Sequence, residues 1–185
     1  MAYQGMTLRP TSIRRIQAFG YDYLVIFCYL VVLTTVGSLL ILGPIGSDWS
    51  ALVSTPWRKD LLAFFTTVLP VIAYFTWGER SVAGATWGKK RVGLRVVTLD
   101  GRRLDPGQAL VRSAIKFLPW QMAHTALFHI PGFPMAPAEP PAWTVWILGT
   151  MWVLVAAYLV GLTPLCGDRT IYDRLSSSQV IEARG

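Results

Sequence analysis

The chain has 185 residues, 53% of them hydrophobic and only 15% charged, with a mean hydropathy of +0.45. Soluble domains average about 25% charged residues, so this composition excludes an ordinary soluble enzyme and a disordered tail and leaves an integral membrane protein. Seventeen Lys and Arg against ten Asp and Glu give a net charge of +7, which fits cytoplasmic loops of a membrane protein better than nucleic-acid binding.

A helix crossing about 30 Å of hydrocarbon needs about 20 mostly apolar residues. The first such stretch is predicted over 13–42 and ends at Gly43-Pro44. It is longer than the core of a signal peptide and lacks a small-x-small cleavage site, so it is expected to remain as an anchor. A second span is predicted over 61–77, bracketed by Trp57 and Trp77 as interfacial aromatics and kinked at Pro70.

The loop 78–107 is basic, holding Arg80, Lys89, Lys90, Arg91, Arg95, Arg102 and Arg103. Within it Val92–Leu99 reads as a strand and Asp100-Gly101 as a turn, with Arg102–Leu104 as a short return strand. A small cytoplasmic hairpin is therefore expected.

The third segment, 108–130, is ambiguous. Arg112 and Lys116 share a face with Asp105 and Gln108, opposite Leu110, Val111, Ala114, Ile115 and Leu118, which describes an amphipathic surface helix. Beyond it the apolar run is interrupted by Pro119, Gln121, His124 and His129, as in a broken crossing buried against protein. The Pro-rich stretch Pro131–Pro141 reads as a rigid connector. The last span is predicted over 143–165, opened by Trp143.

The N-terminal segment carries Arg9, Arg14 and Arg15, and the tail carries Arg169, Arg174 and Arg184. The loop 43–60 has only Arg58 and Lys59, and 131–142 has no basic residue. The positive-inside rule puts the N-terminus and the basic loop in the cytoplasm, and a crossing by the third segment brings the tail there too. Four spans fit this better than three. The expectation is an all-α membrane protein of the inner membrane: one domain, 1–185, forming a small polytopic bundle of about four helical segments with both termini cytoplasmic.

Ionisable groups inside a span are expensive and are functional candidates by default. Asp22 is the outstanding one. Arg15 lies seven residues earlier, almost two helical turns, so both project from one face with Ala18 between them. Asp173 follows the last span on the same side as Arg15, which makes an Arg15–Asp173 pair, extended towards Asp22, geometrically possible. The planar fork of Arg can serve two carboxylates. Asp22 then reads either as a proton or cation site, or as part of an ion pair that locks helix register, with equal weight.

The basic residues Lys89, Lys90, Arg91 and Arg95, with Arg112 and Lys116, are expected to grip anionic lipid headgroups, at about 1 kcal/mol each near the surface. His124 and His129 lie about 140° apart round a helix and make no shared metal face. Cys28 and Cys166 show no disulfide framework or metal spacing. Gly88-Lys89 lacks the rest of a phosphate loop, and no Ser-His-Asp or Cys-His motif is present. No enzyme activity, cofactor, metal or nucleic acid is expected.

The run Arg15-Ile-Gln-Ala18 through Asp22 resembles the opening motif of the RDD family of bacterial membrane proteins, named for one Arg and two Asp. The block Ala85–Val97 resembles the family's T-P-G-K-R-x-x-G-L-R-V-V, with Trp87 in place of Pro and one extra Lys before Arg91. Asp100-Gly101, Ala109-Leu110-Val111-Arg112 and Tyr172-Asp173-Arg174-Leu175 follow in order, so the resemblance covers roughly 14–181. It implies that the three name-giving residues fall on Arg15, Asp22 and Asp173, and that a transport role, cation/proton antiport among them, has been proposed for relatives. Two functions stay open: transport-related, proton-coupled cation movement, or a non-catalytic accessory or assembly subunit of a larger membrane complex. Four spans without an internal repeat are few for alternating access, so transport would need a homo-oligomer.

Overall fold

The computed structural model describes residues 10–43, 46, 49–163 and 169–183. Arg9, Pro44, Leu165, Cys166 and Arg184, which figure in the expectations above, lie outside these. The helices are α1 (Ser12–Leu42), α2 (Trp49–Leu52), α3 (Pro56–Ala63), α4 (Leu69–Arg80), α5 (Trp87–Arg91), α6 (Pro106–Phe128), α7 (Ala142–Val160) and α8 (Ile171–Leu175). The strands are β1 (Leu94–Thr98) and β2 (Ser178–Glu182). Three helical stretches are long and apolar enough to cross a membrane: Ser12–Leu42, Pro56–Arg80 and Ala142–Val160. At 23 residues α6 is long enough but too polar to join them.

Between α3 and α4 the helix widens into a π turn, Phe64–Val68. The wider turn has a local cause. Pro70 has no N–H to offer the carbonyl of Thr66 four residues earlier, and that carbonyl accepts the Tyr29 hydroxyl instead, at 2.5 Å. The irregularity expected at Pro70 thus sits one turn earlier, as an i→i+5 bond from Leu69 N–H to Phe64 O.

Two expectations need correction. The hairpin within the basic loop is replaced by a longer-range pairing: β1 runs antiparallel to β2, from Leu94 opposite Glu182 to Thr98 opposite Ser178. Asp100-Gly101 does turn the chain, with Gly101 at φ +81° and Thr98 N–H bonded to Arg102 O at 2.8 Å. However, Arg102–Leu104 is too short and too charged to supply a ladder, whereas β2 brings the buried Val180 and Ile181.

The amphipathic reading of α6 is likewise inverted. Arg112 and Ser113 are buried with Ala109 and Phe117, while Leu110, Val111 and Leu118 face outward. Arg112 is drawn inward by the carboxylates of Glu79 and Asp173.

The described chain divides into two compact units. One comprises Met1–Val25, Ala73–Ile115 and Ala157–Gly185 within the described residues, the other Ile26–Ile72 and Lys116–Ala156. The first has a small core of Ala18, Leu94, Val96, Leu104, Ala109 and Val180 against the β1–β2 ribbon. In the second, Ile26, Val68, Val71, Ile72 and Ala126 are buried.

Candidate functional site

The first unit buries six ionisable side chains: Arg15, Asp22, Glu79, Lys89, Arg112 and Asp173. Helix α1 presents Arg15, Ala18 and Asp22 on one face, at 8%, 2% and 0% exposure. Three neutral donors among the described residues hold the Asp22 carboxylate. Its Oδ1 accepts the Tyr74 hydroxyl at 2.7 Å and the Gly88 N–H at 2.8 Å, and its Oδ2 accepts the Thr86 hydroxyl at 2.6 Å. Thr86 is also the N-cap of α5, so the helix start fixes the donor that faces Asp22. Gly88 is required by contact: a Cβ there would lie 2.2 Å from the Ala18 carbonyl oxygen.

The other five groups form a chain of alternating charge. Lys89 Nζ meets Glu79 Oε1 at 2.9 Å, and Glu79 Oε2 faces Arg112 Nε at 3.2 Å. Arg112 Nη2 meets Asp173 Oδ1 at 2.7 Å, and Arg15 Nη2 meets Asp173 Oδ2 at 2.6 Å. Asp173 also closes the capping box of α8, where its Oδ2 accepts the Thr170 N–H and hydroxyl at 3.0 and 2.8 Å. The Arg112 guanidinium lies over the Tyr172 ring, 5.0 Å from its centroid. Counting Asp22, three bases and three acids are buried together, so the formal charge of the group is zero.

The network thereby ties α1, the end of α4, the basic loop, α6 and the tail segment 169–175 to one another. Arg15 and Asp173 meet directly, as their placement on one side allowed. Asp22 takes its hydrogen bonds from Tyr74, Thr86 and Gly88 instead.

Burial works against ionisation of Asp173, but the charges of Arg112 and Arg15 and the hydrogen bonds from Arg15 and Thr170 outweigh it. They hold its pKa down at about 2. A carboxyl lowered in the folded state stabilises the fold above its unfolded pKa of about 3.8 and loses that contribution as the pH falls through the folded value. The network is therefore expected to weaken between about pH 4 and about pH 2, by on the order of 2 kcal/mol. Acid titration followed by tryptophan fluorescence checks this, and Asp173→Asn should flatten that part of the curve.

The expected lipid contacts divide. Lys89 and Arg112 are 6% and 2% exposed and engaged with Glu79 and Asp173, so neither reaches a headgroup. This corrects the expectation for both: Lys89 pairs inside the protein with Glu79, ten residues earlier, and Arg112 with Glu79 and Asp173. Lys90, Arg91 and Arg95 are exposed, with Arg91 stacked on Trp87 at 5.0 Å. Lys116 is half-buried beside Phe117.

The sequence reading missed Glu79, Tyr74, Thr86 and Gly88. A usable signal existed for Glu79, the sole acidic residue between Leu61 and Leu99 in a stretch dense with basic ones. Among the described residues no group of three or more His, Cys, Asp or Glu side chains is placed to hold a metal ion. Cys28 is free and exposed.

The model of the RDD family matches residues 9–177, nearly the whole chain. Neither a curated relative nor a solved structure matches it.

Proposed function

The chain belongs to the RDD family, its apolar helices make it a membrane protein, and from that premise we propose that it is a non-catalytic accessory or assembly subunit of a larger membrane complex. The observation that carries this is the fixed, charge-balanced network around Arg15, Asp22, Glu79, Lys89, Arg112 and Asp173. Proton-coupled transport through Asp22 would require its carboxylate to change protonation. The three donors from Tyr74, Thr86 and Gly88 instead tie that carboxylate to α4 and to the start of α5. Such a site suits a permanent lock. It holds the basic loop and the tail segment in one shape on α1, and a partner subunit would recognise that shape.

On this reading the protein is multi-pass in the inner membrane with both termini cytoplasmic, and Lys90, Arg91, Arg95 and Lys116 face anionic headgroups. A cysteine introduced at position 184 should stay unlabelled by an impermeant reagent in intact cells. Strong labelling would place the tail outside.

Two measurements test the assignment itself. Gently solubilised native membranes should yield this chain in a stoichiometric complex with a different subunit. The purified chain in vesicles should show no cation exchange driven by a pH gradient. Exchange by the parent that disappears in well-folded Asp22→Asn would overturn the proposal in favour of transport.

A further inference from the structure

Residues 78–86 carry the chain from the end of α4 to the start of α5 in a closed turn whose ends touch. A Cβ on Gly78 would lie 3.0 Å from Thr86 Cα, so the two backbones are in contact. Within the turn Ser81 Oγ donates to Gly78 O at 2.6 Å and the Gly84 N–H to Ser81 O at 2.9 Å. Gly84 O accepts the Val96 N–H at 2.7 Å, and Arg103 Nε donates to Arg80 O. These bonds fix the turn to β1 and to the segment after it, yet Val82 at its tip is 92% exposed.

Two exposed indoles flank the turn. Trp77 stands in the last turn of the candidate span Pro56–Arg80, and Trp87 opens α5; they are 72% and 40% exposed. Each carries a guanidinium: Arg80 lies over Trp77, 5.2 Å from the ring centroid, and Arg91 over Trp87 at 5.0 Å. A guanidinium stacked in this way keeps its in-plane N–H donors for a second partner. Among the described residues Arg80, Lys90 and Arg91 meet no carboxylate. Asp100 and Glu182 are taken by Arg102 and Arg14, and Glu79 and Asp173 lie inside the buried network. An aliphatic tip, two indoles and cations without a carboxylate fit one surface, the boundary between anionic headgroups and acyl chains.

We propose that the turn 78–86 is a membrane-binding element that seats the first unit on anionic phospholipid. Val82 enters the acyl boundary, Trp77 and Trp87 lie at headgroup level, and Arg80, Arg91 and Lys90 take lipid phosphates. The occupant is lipid because the patch continues the candidate span through Trp77 and has no acidic residue from Arg80 to Arg95. The turn ends on Thr86, whose hydroxyl bonds Asp22 at 2.6 Å, so the lipid contact borders the frame that closes over the buried carboxylate. The proposal deepens the reading that Lys90 and Arg91 face headgroups and rests on it; the accessory role is not involved.

Two readouts on the full-length chain test it, and neither depends on its orientation. In a Cys28→Ser, Cys166→Ser background, Val82→Cys carries a fluorescent label in nanodiscs containing phosphatidylglycerol. Lipids spin-labelled near the glycerol should quench it, and iodide in the buffer should quench it far less than the free cysteine adduct of the dye. Separately, the protein in mild detergent is titrated with phosphatidylglycerol or phosphatidylcholine, and bound lipid is counted by native mass spectrometry. Arg80→Gln with Arg91→Gln should reduce the preference for phosphatidylglycerol about thirtyfold, about fivefold for each charge. A label that iodide quenches as freely as the adduct, and that lipid spin labels leave untouched, would overturn the proposal. So would an unchanged lipid preference. Protection of the label only in the presence of a co-purified subunit would overturn it in favour of a protein partner. Lys90→Gln with Arg95→Gln reports on the headgroup reading separately. A loss there, with none in the Arg80 and Arg91 pair, leaves that reading standing and overturns the role of the turn.

Discussion

Arg112→Gln is expected to be the most damaging single substitution in the chain, with a loss on the order of 3–5 kcal/mol. Arg112 is 2% exposed and stands between Glu79 and Asp173. Gln removes a charge that serves both carboxylates and leaves Asp173 with Arg15 and Glu79 with Lys89. Each carboxylate keeps one partner, but the buried group is left with two bases against three acids, and that excess negative charge remains desolvated. Loss of the monodisperse peak in detergent, or a collapse of Tm, checks the result. Arg112→Lys should rescue little, because an ammonium cannot span two carboxylates as a planar fork does.

Gly88→Ala should follow closely, with a loss on the order of 3 kcal/mol from overpacking and broken hydrogen bonds together. The added Cβ would lie 2.2 Å from the Ala18 carbonyl oxygen and 2.8 Å from the Asp22 backbone nitrogen. Backbone atoms cannot swing aside as the end of a side chain can. The clash would push α5 off α1 and pull the Gly88 N–H and Thr86 hydroxyl from Asp22, bonds now at 2.8 and 2.6 Å. Gly20→Ala, on the same helix as Asp22 but with nothing within 4 Å of its Cβ, makes the comparison. It should be neutral or stabilise α1 by about 0.5–1 kcal/mol, the usual helix penalty of glycine. Equal Tm values for the two variants would show that the close approach at Gly88 carries no weight.

The pattern of these residues explains how far the sequence could be read. The apolar helices of the first, second and last segments were legible because a long uncharged run has one physical solution in a bilayer. Arg15 and Asp22 were legible as a helix face because helical periodicity is local. The partners of Asp22 were not, since Tyr74 and Thr86 are common residues whose meeting depends on packing some fifty to sixty-four positions away. Glu79, Lys89 and Arg112 look like ordinary loop and surface charges until a neighbour buries them. Treating Arg112 and Lys116 as a polar face left out the carboxylates of Glu79 and Asp173, which draw Arg112 inward. The β1–β2 pairing joins residues about eighty positions apart, whereas Asp100-Gly101 advertised a local hairpin.

A double-mutant cycle on Arg15 and Asp173 tests the fixed buried network most directly, because their 2.6 Å contact joins the first helix to the tail segment. Arg15→Met, Asp173→Asn and the pair together would be compared by unfolding free energy in detergent at neutral pH. A structural lock predicts that each single change destabilises strongly and that the double change recovers roughly 1.5–3 kcal/mol of the summed loss, since no stranded charge remains. Single effects that simply add, within about 0.5 kcal/mol, would contradict it.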